Sequence, residues 1–165
     1  MSAVRAALVL AVALVLQAGL GKLFPHSHRY VDVLLVPVAL YGVTSSQRAA
    51  MLMGCVAGLL TDTWFQGGPF GLSGFKRTLL GWALGVAATR FDLNQPVGRV
   101  TLGALLSIAD DALDLVLRGL LDVPPAFPGP VALLVRAGLC GSLVAVGGLI
   151  LDRGRRRAPA RRAAV

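Results

Sequence analysis

The 165-residue chain contains no glutamate, and its eight acidic residues are all aspartate. Charged residues make up only 15% of the sequence, whereas 56% are hydrophobic and the mean hydropathy is +0.74. Helices that face water depend on charged residues, glutamate among them, for solubility and for pairing along one face. A soluble domain of this length would also need a more polar exterior. These deficits argue against a soluble domain and indicate that lipid solvates the chain.

Residues with catalytic or metal-binding chemistry are also few. The two cysteines, Cys55 and Cys140, each lie inside an apolar run without a second ligand at metal-binding spacing. His26 and His28 share a short loop that has no carboxylate or cysteine at ligand spacing, so we interpret them as a polar turn. No nucleophile–base pair is visible. The sequence therefore predicts a protein without enzymatic activity, cofactor or bound metal.

The net charge of +8 is concentrated at the C-terminus. Six of the sixteen basic residues are arginines between positions 153 and 162, a stretch without aromatic residues that could stack on bases. A basic tail behind a hydrophobic helix is typical of a cytoplasmic end that attracts anionic lipid headgroups. We therefore expect the tail to contact anionic lipids and expect no binding to nucleic acid.

Six apolar segments, separated by short polar or glycine- and proline-rich turns, predict an all-α polytopic membrane protein. They cover about 4–23, 30–44, 49–65, 75–90, 96–121 and 130–151, and a basic cytoplasmic tail follows at 153–165. The expected architecture is a compact bundle of six transmembrane helices in one domain, 1–152. It is similar in size and topology to the membrane substrate-binding component of energy-coupling-factor transporters. The second segment is short and contains Pro37, so whether it spans fully stays open.

The distribution of charge predicts an orientation for these six spans. At the predicted inner ends and the tail, basic residues outnumber aspartates by eight, whereas the six basic and six acidic residues of the outward half cancel. Positive charge is retained on the cytoplasmic side of membranes. We therefore expect a multi-pass protein of the bacterial inner membrane with both termini in the cytoplasm.

Several charged residues fall within the predicted helices, where a charge at membrane depth costs about 2.5–3.5 kcal/mol and normally faces a partner or water. In the fifth helix Asp110 and Asp114 are four residues apart on one face, and Arg118 lies one turn further on. We predict a network joining helices four, five and six that consists of Lys76, Arg77, Asp110, Asp111, Asp114, Arg118 and Arg136. Three interpretations stay open: pairing that locks the bundle, a water-filled cavity or proton path, and contact with a partner protein.

Small residues four apart predict close approach of helix backbones. Two glycine pairs have this spacing, Gly54 with Gly58 and Gly81 with Gly85. The motif occurs both within bundles and between subunits, and we favour packing within the bundle.

The stretch 53–90 carries the most specific pattern, MGCVAGLLTDTWFQGGPFGLSGFKRTLLGWALGVAATR. A helix ends in a glycine, an apolar spacer and an aspartate; a glycine–proline loop follows, and a Gly-Leu pair opens a helix with another glycine pair. This pattern resembles the rod shape-determining protein MreD family. The matching residues are Gly58, Asp62, Gly67, Gly68, Pro69, Gly71, Leu72, Gly81 and Gly85. The rest of the chain resembles that family in hydropathy.

The resemblance implies a non-enzymatic scaffold of the cell-elongation machinery that supports peptidoglycan synthesis along the cell cylinder. An MreC-like bitopic protein would be its partner, with MreB, RodA and the transpeptidase cognate to RodA beside it. Asp62 could pair with Lys76 or Arg77, cap the loop amides or contact a partner. The alternative is the membrane substrate-binding component of an energy-coupling-factor-type vitamin transporter, which has similar size but needs aromatic and polar residues around a pocket.

Overall fold

The computed structural model of the chain describes residues 3–23, 31–65, 69–90, 95–124 and 129–162. Over these ranges the chain forms six α-helices and no strand. The helices are α1 (Ala3–Leu23), α2 (Leu35–Thr44), α3 (Gln47–Phe65), α4 (Leu72–Arg90), α5 (Pro96–Leu120) and α6 (Pro130–Arg162). The all-α class predicted from the sequence is confirmed for the described residues.

Two of these helices are long and apolar enough to cross a membrane. They are Ala6–Leu23 within α1 and Pro130–Ile150 within α6, each with a mean hydropathy of 2.0. α2 is apolar but has only ten residues. α3, α4 and α5 have 19, 19 and 25 residues, which is long enough, but each carries charged side chains. Length and hydropathy alone therefore identify two candidate spans.

α2 and α6 differ in extent from the predicted segments. α2 begins at Leu35 rather than near residue 30 because the Gln17 side chain of α1 uses the backbone just before it. Gln17 Nε2 donates to the Val31 carbonyl at 3.0 Å, and its Oε1 accepts from the Val33 N–H at 2.7 Å. These backbone groups are satisfied outside a helix. α6 continues to Arg162, through a stretch rich in arginine and alanine, which are good helix formers.

The packing of the helices places α2 at the centre. α2 contacts all five other helices, while α3 packs along α4 and α5 packs along α6. Leu35, Val38 and Ala39 of α2 are fully buried in the apolar core. α3 ends and α4 begins at one end of the bundle, where α5 also ends and α6 begins; we call this the hairpin end. The opposite end, toward which α6 runs into the basic segment, is the tail end.

Candidate functional site

The two glycine pairs pack α3 against α4 with their backbones in direct contact. A Cβ added at Gly54 would overlap the carbonyl of Arg77, and one added at Gly58 would overlap the first turn of α4. On α4, Gly81 and Gly85 face the backbone and side chains of α3 equally closely. All four glycines are therefore used for packing within the chain, where only a hydrogen side chain fits.

Asp62, near the end of α3, caps the beginning of α4. Its carboxylate accepts hydrogen bonds from the N–H groups of Gly71 at 3.0 Å, Ser73 at 3.1 Å and Gly74 at 3.2 Å. The first N–H groups of a helix have no partner within it, and a negative charge there also interacts favourably with the helix dipole. α4 consequently begins at Leu72, three residues before the predicted start. Of the roles considered for Asp62, capping the loop amides has the supporting geometry.

The loop between α3 and α4 is described from Pro69 onward. The Pro69 carbonyl accepts a hydrogen bond from the Leu72 N–H at 3.3 Å. Gly71 has a φ of 95°, a conformation that residues with a Cβ rarely adopt. Gly67 and Gly68, which belong to the same sequence pattern, lie outside the described residues, as do the two histidines.

A network of eight charged side chains lies inside the bundle toward the hairpin end. We call it the ion-pair network. It joins the segment before α2 to α4, α5 and α6, and its members are Asp32, Lys76, Arg77, Asp110, Asp111, Asp114, Arg118 and Arg136. The structure thus brings together all seven residues that the sequence analysis grouped, and it adds Asp32.

Lys76 connects α4 to the acidic face of α5. Its Nζ lies 3.1 Å from Asp110 and 3.0 Å from Asp114. One helical turn further along α5, Arg118 Nε donates to Asp114 at 2.6 Å. The i,i+4 spacing noted in the sequence thus places two carboxylates on either side of a single ammonium group.

Arg77 and Arg136 extend the network to α6 and to the segment before α2. Arg136 pairs with Asp111, and its NH2 lies 3.2 Å from Asp110 and 3.3 Å from Asp32. Arg77 NH2 also pairs with Asp32, so two guanidinium groups share one Asp32 oxygen. This carboxylate therefore ties the beginning of α2 to both α4 and α6.

Arg77 is also where the glycine packing and the network meet. Its side chain is 1% exposed, and its NH1 donates to Thr61 Oγ1 at 2.7 Å and to the Ala57 carbonyl at 3.4 Å. Both acceptors lie on α3, within reach because α3 and α4 approach closely at Gly54. The network consequently depends on the glycine-packed hairpin for the position of one of its cations.

Asp32 is the network residue that sequence reasoning missed. It lies in the non-helical stretch that Gln17 holds, which the sequence analysis assigned to a continuous helix. A signal was present, because Asp32 is a lone acid in the apolar run VDVLLVPV. An ionised side chain among apolar residues needs a partner, so Asp32 belonged with the other charged residues that the sequence analysis grouped.

The network is balanced in charge and enclosed. It contains four aspartates and four basic residues, and Asp110 at its centre is 0% exposed. Its groups neutralise one another, which favours a structural lock. Removing one member of a buried ion pair leaves an uncompensated charge, which typically costs about 3–5 kcal/mol.

Comparison with known proteins adds no family to this description. No model of a protein family, no curated protein and no solved structure matches the chain. Inference about its function therefore depends on the residues and contacts described above.

Proposed function

We propose that this chain is a multi-pass protein of the bacterial inner membrane that acts as a non-enzymatic scaffold of the cell-elongation machinery. The observation that carries the proposal is the α3–α4 hairpin. Gly58, Asp62, Gly71, Gly81 and Gly85, which carry the resemblance to the MreD family, all act in one structural unit. A resemblance that depends on glycines and one aspartate is stronger evidence for a family when these residues build one structural unit than when they lie apart in the fold.

The distribution of polar and apolar side chains supports a membrane location. Every helix except α2 has large apolar side chains exposed, among them Leu16 on α1, Leu52 on α3, Trp82 on α4, Leu105 on α5 and Leu134 on α6. Lys76 and Arg77 of α4 and the charged side chains of α5 point inward instead. Soluble monomers rarely expose such large apolar patches. Lipid as the surrounding solvent accounts for both features.

This arrangement also supports more spans than hydropathy identifies. Apart from Arg90 and Arg99, which lie toward the tail end, the charges that lower the hydropathy of α4 and α5 lie in the ion-pair network, so the outer faces of these helices are mainly apolar. α2 is too short to cross about 30 Å of hydrocarbon alone. The described part of the non-helical stretch before it packs against the bundle, with residues 31–33 half-buried and Leu34 buried. Irregular backbone is tolerated at membrane depth where it is buried in protein. We therefore propose six spans with the hairpin end in the periplasm.

A scaffold role fits the way in which the polar groups are used. Asp62 caps α4, and the charged residues of the network neutralise one another. An MreC-like bitopic protein is the proposed partner, with MreB, RodA and the transpeptidase cognate to RodA in the same assembly. The basic segment after α6 would lie at the cytoplasmic leaflet and attract anionic lipids.

The transporter alternative has weaker support. A cleft of about 420 Å³ lies between α1, α2 and α6, with Leu8, Leu16, Leu40, Tyr41 and Ile150 among its lining residues. Its walls are almost wholly apolar. Sites for vitamin-sized ligands need a few well-placed polar groups that fix the ligand's orientation. This cleft suits hydrocarbon better than a vitamin.

Affinity purification from gently solubilised membranes tests the functional proposal. The full chain carries a C-terminal tag, and an unrelated multi-pass protein with the same tag is the control. Specific recovery of a bitopic protein with a large periplasmic domain is the expected result. Recovery of a pair of ATPases together with a bound small molecule would replace the scaffold proposal with the transporter alternative.

Paired reporter fusions test the topology separately. A reporter that is active only in the cytoplasm is fused after Val165, and one that is active only in the periplasm is inserted at Phe70 in the α3–α4 loop. Both should be active. If the fusion after Val165 works only with the periplasmic reporter, an even number of spans with a cytoplasmic N-terminus is wrong.

A further inference from the structure

Five buried polar atoms in and beside the ion-pair network have no hydrogen-bond partner within the described part of the chain. They are Arg77 Nε, Arg136 Nε, Asp110 Oδ1, Asp111 Oδ2 and Ser107 Oγ. Ser107 is 1% exposed and lies one turn before Asp110 and Asp111 on α5. Buried polar groups are nearly always satisfied, so a cluster of five such atoms requires an explanation.

The clearest gap lies between Arg77 and Asp110. Arg77 Nε is 3.9 Å from Asp110 Oδ1, too far for a direct hydrogen bond although the two groups have opposite charges. Both side chains are almost fully buried, at 1% and 0% exposure. A donor and an acceptor held slightly too far apart are commonly bridged by water.

The chemistry of the five atoms identifies the kind of ligand. Two are guanidinium N–H donors, two are carboxylate oxygens that accept, and the Ser107 hydroxyl does both. A cation would be repelled by the donors and an anion by the carboxylates. The network is already neutral, so any ion would also add an uncompensated charge. Moreover, among the described residues no group of three or more potential metal ligands converges.

We propose that the ion-pair network encloses ordered water, with one molecule bridging Arg77 Nε and Asp110 Oδ1. Water is neutral, donates and accepts, and typically makes two to four hydrogen bonds in buried sites. This inference does not depend on the scaffold function, because it concerns only the interior of the bundle. Loss of partner binding and absence of water are therefore separate results.

The water site opens toward the hairpin end and is closed toward the tail end. The side chains of Asp114 and Arg118, nearest the end of α5, are 20% and 12% exposed, whereas that of Asp110 is fully enclosed. In the direction of the tail end, beyond Ser107 of the site itself, a layer of buried apolar residues follows that includes Leu106, Leu102 and Val144. This layer argues against a proton path that crosses the bundle from the site.

Solution NMR of the full chain in detergent, with arginine labelled with nitrogen-15, tests this proposal. The Arg77 Nε–H resonance is assigned from its loss in Arg77→Lys. We expect a direct cross-peak between water and Arg77 Nε–H in the wild-type protein. An observed Arg77 resonance without a water cross-peak would overturn the proposal.

Two variants at neighbouring positions sharpen the test. Ser107→Val removes a hydroxyl and adds apolar volume beside the gap, so the water cross-peak should disappear. Ile108→Val changes the next residue, which is exposed on the outer face, and should leave the cross-peak unchanged. If the water cross-peak persists in Ser107→Val, the water lies elsewhere and the proposed site is wrong. If Ser107→Val does not fold, a high-resolution crystal structure of the wild-type protein provides the test. Electron density for a water between Arg77 Nε and Asp110 Oδ1 would support the proposal, and its absence would overturn it.

Discussion

The substitution Asp110→Asn tests whether the ion-pair network stabilises the fold as a set of buried charges. Asparagine preserves the shape of the side chain but leaves four cations facing three carboxylates. Asp110 is fully buried and lies near Lys76, Arg77 and Arg136. If its charge is removed, solvent cannot reach these three cations at that position to compensate for the loss. An uncompensated buried charge costs about 3–5 kcal/mol. With about 2–4 °C per kcal/mol for a chain of this size, the unfolding midpoint should fall by about 6–20 °C.

The accessibility of the two cysteines provides the assay. Cys140 is 2% exposed and becomes reactive to a thiol-specific fluorescent dye only on unfolding, whereas Cys55 is half-buried. All variants are therefore compared in a Cys55→Ser background and in one detergent. Asp122→Asn is the matched control, because Asp122 is exposed in the turn after α5 with a φ of 52°, which asparagine tolerates. Its midpoint should stay within about 2 °C of the parent.

The double variant Lys76→Met with Asp110→Asn distinguishes charge balance from shape. It restores neutrality, with three cations and three carboxylates. The combined loss should be smaller than the sum of the two single losses by about 0.5–3 kcal/mol, as for directly interacting residues. Strictly additive losses, or an Asp110→Asn midpoint equal to that of Asp122→Asn, would refute the reasoning.

Three further predictions concern the elements that position the network. Gly54→Ala should destabilise the chain by about 1–3 kcal/mol because the added methyl overlaps α4. The control is Gly138→Ala on α6, where an added methyl has open space; it should not lower the unfolding midpoint in the same dye assay. Asp62→Ala should lower the free energy of unfolding by about 0.5–2 kcal/mol because the cap of α4 is lost. Asp62→Asn should lower the unfolding midpoint less than Asp62→Ala does, and equal decreases for the two variants would argue against a carboxylate cap. Gln17→Leu should speed hydrogen exchange of the Val33 amide, because Gln17 Oε1 no longer accepts its hydrogen bond. An unchanged exchange rate would contradict the role of Gln17 in holding the backbone before α2.

The helices could be predicted from the sequence because their signal is local, whereas three of their boundaries, the beginnings of α2 and α4 and the end of α6, could not. Hydrophobic runs and the turns between them located all six segments. The first residue of α2, Leu35, follows Gln17 by 18 positions, and that of α4, Leu72, follows Asp62 by ten. In each case a side chain distant in sequence determines where the helix begins. A side chain that satisfies backbone groups of another segment leaves no periodic trace in that segment.

The residues of the candidate site were likewise only partly predictable from the sequence. The acidic stripe on α5 was visible because Asp110 and Asp114 are related by the helical repeat, and their need for partners directed attention to the bases of α4 and α6. Asp32 and Ser107 were missed for different reasons. Asp32 stood out as a lone acid in an apolar run, but its partners on α4 and α6 are distant in sequence. Ser107 in particular is an unremarkable residue in the sequence and gains significance from having no partner atom in a buried position.

In the six-span arrangement proposed above, the depth of the network and the pairing within it account for how eight charges are tolerated. At 1.5 Å per residue, Lys76 lies about 6 Å along α4 from its beginning and Arg136 about 9 Å along α6, whereas Asp110 lies about 15 Å before the end of α5. In that arrangement the network extends from near the hairpin end to about the middle of a hydrocarbon layer about 30 Å thick. Charges cost less toward the surface than at the centre, and the most deeply placed one, Asp110, has Lys76 and Arg136 as ion-pair partners. Of the described residues of the MreD-like pattern, Gly58, Asp62 and Gly71 build the hairpin end, and Gly81 and Gly85 continue the packing of α4 on α3. Substituting these residues would therefore act through the fold, so a residue that contacts the proposed partner directly must be sought among the exposed side chains.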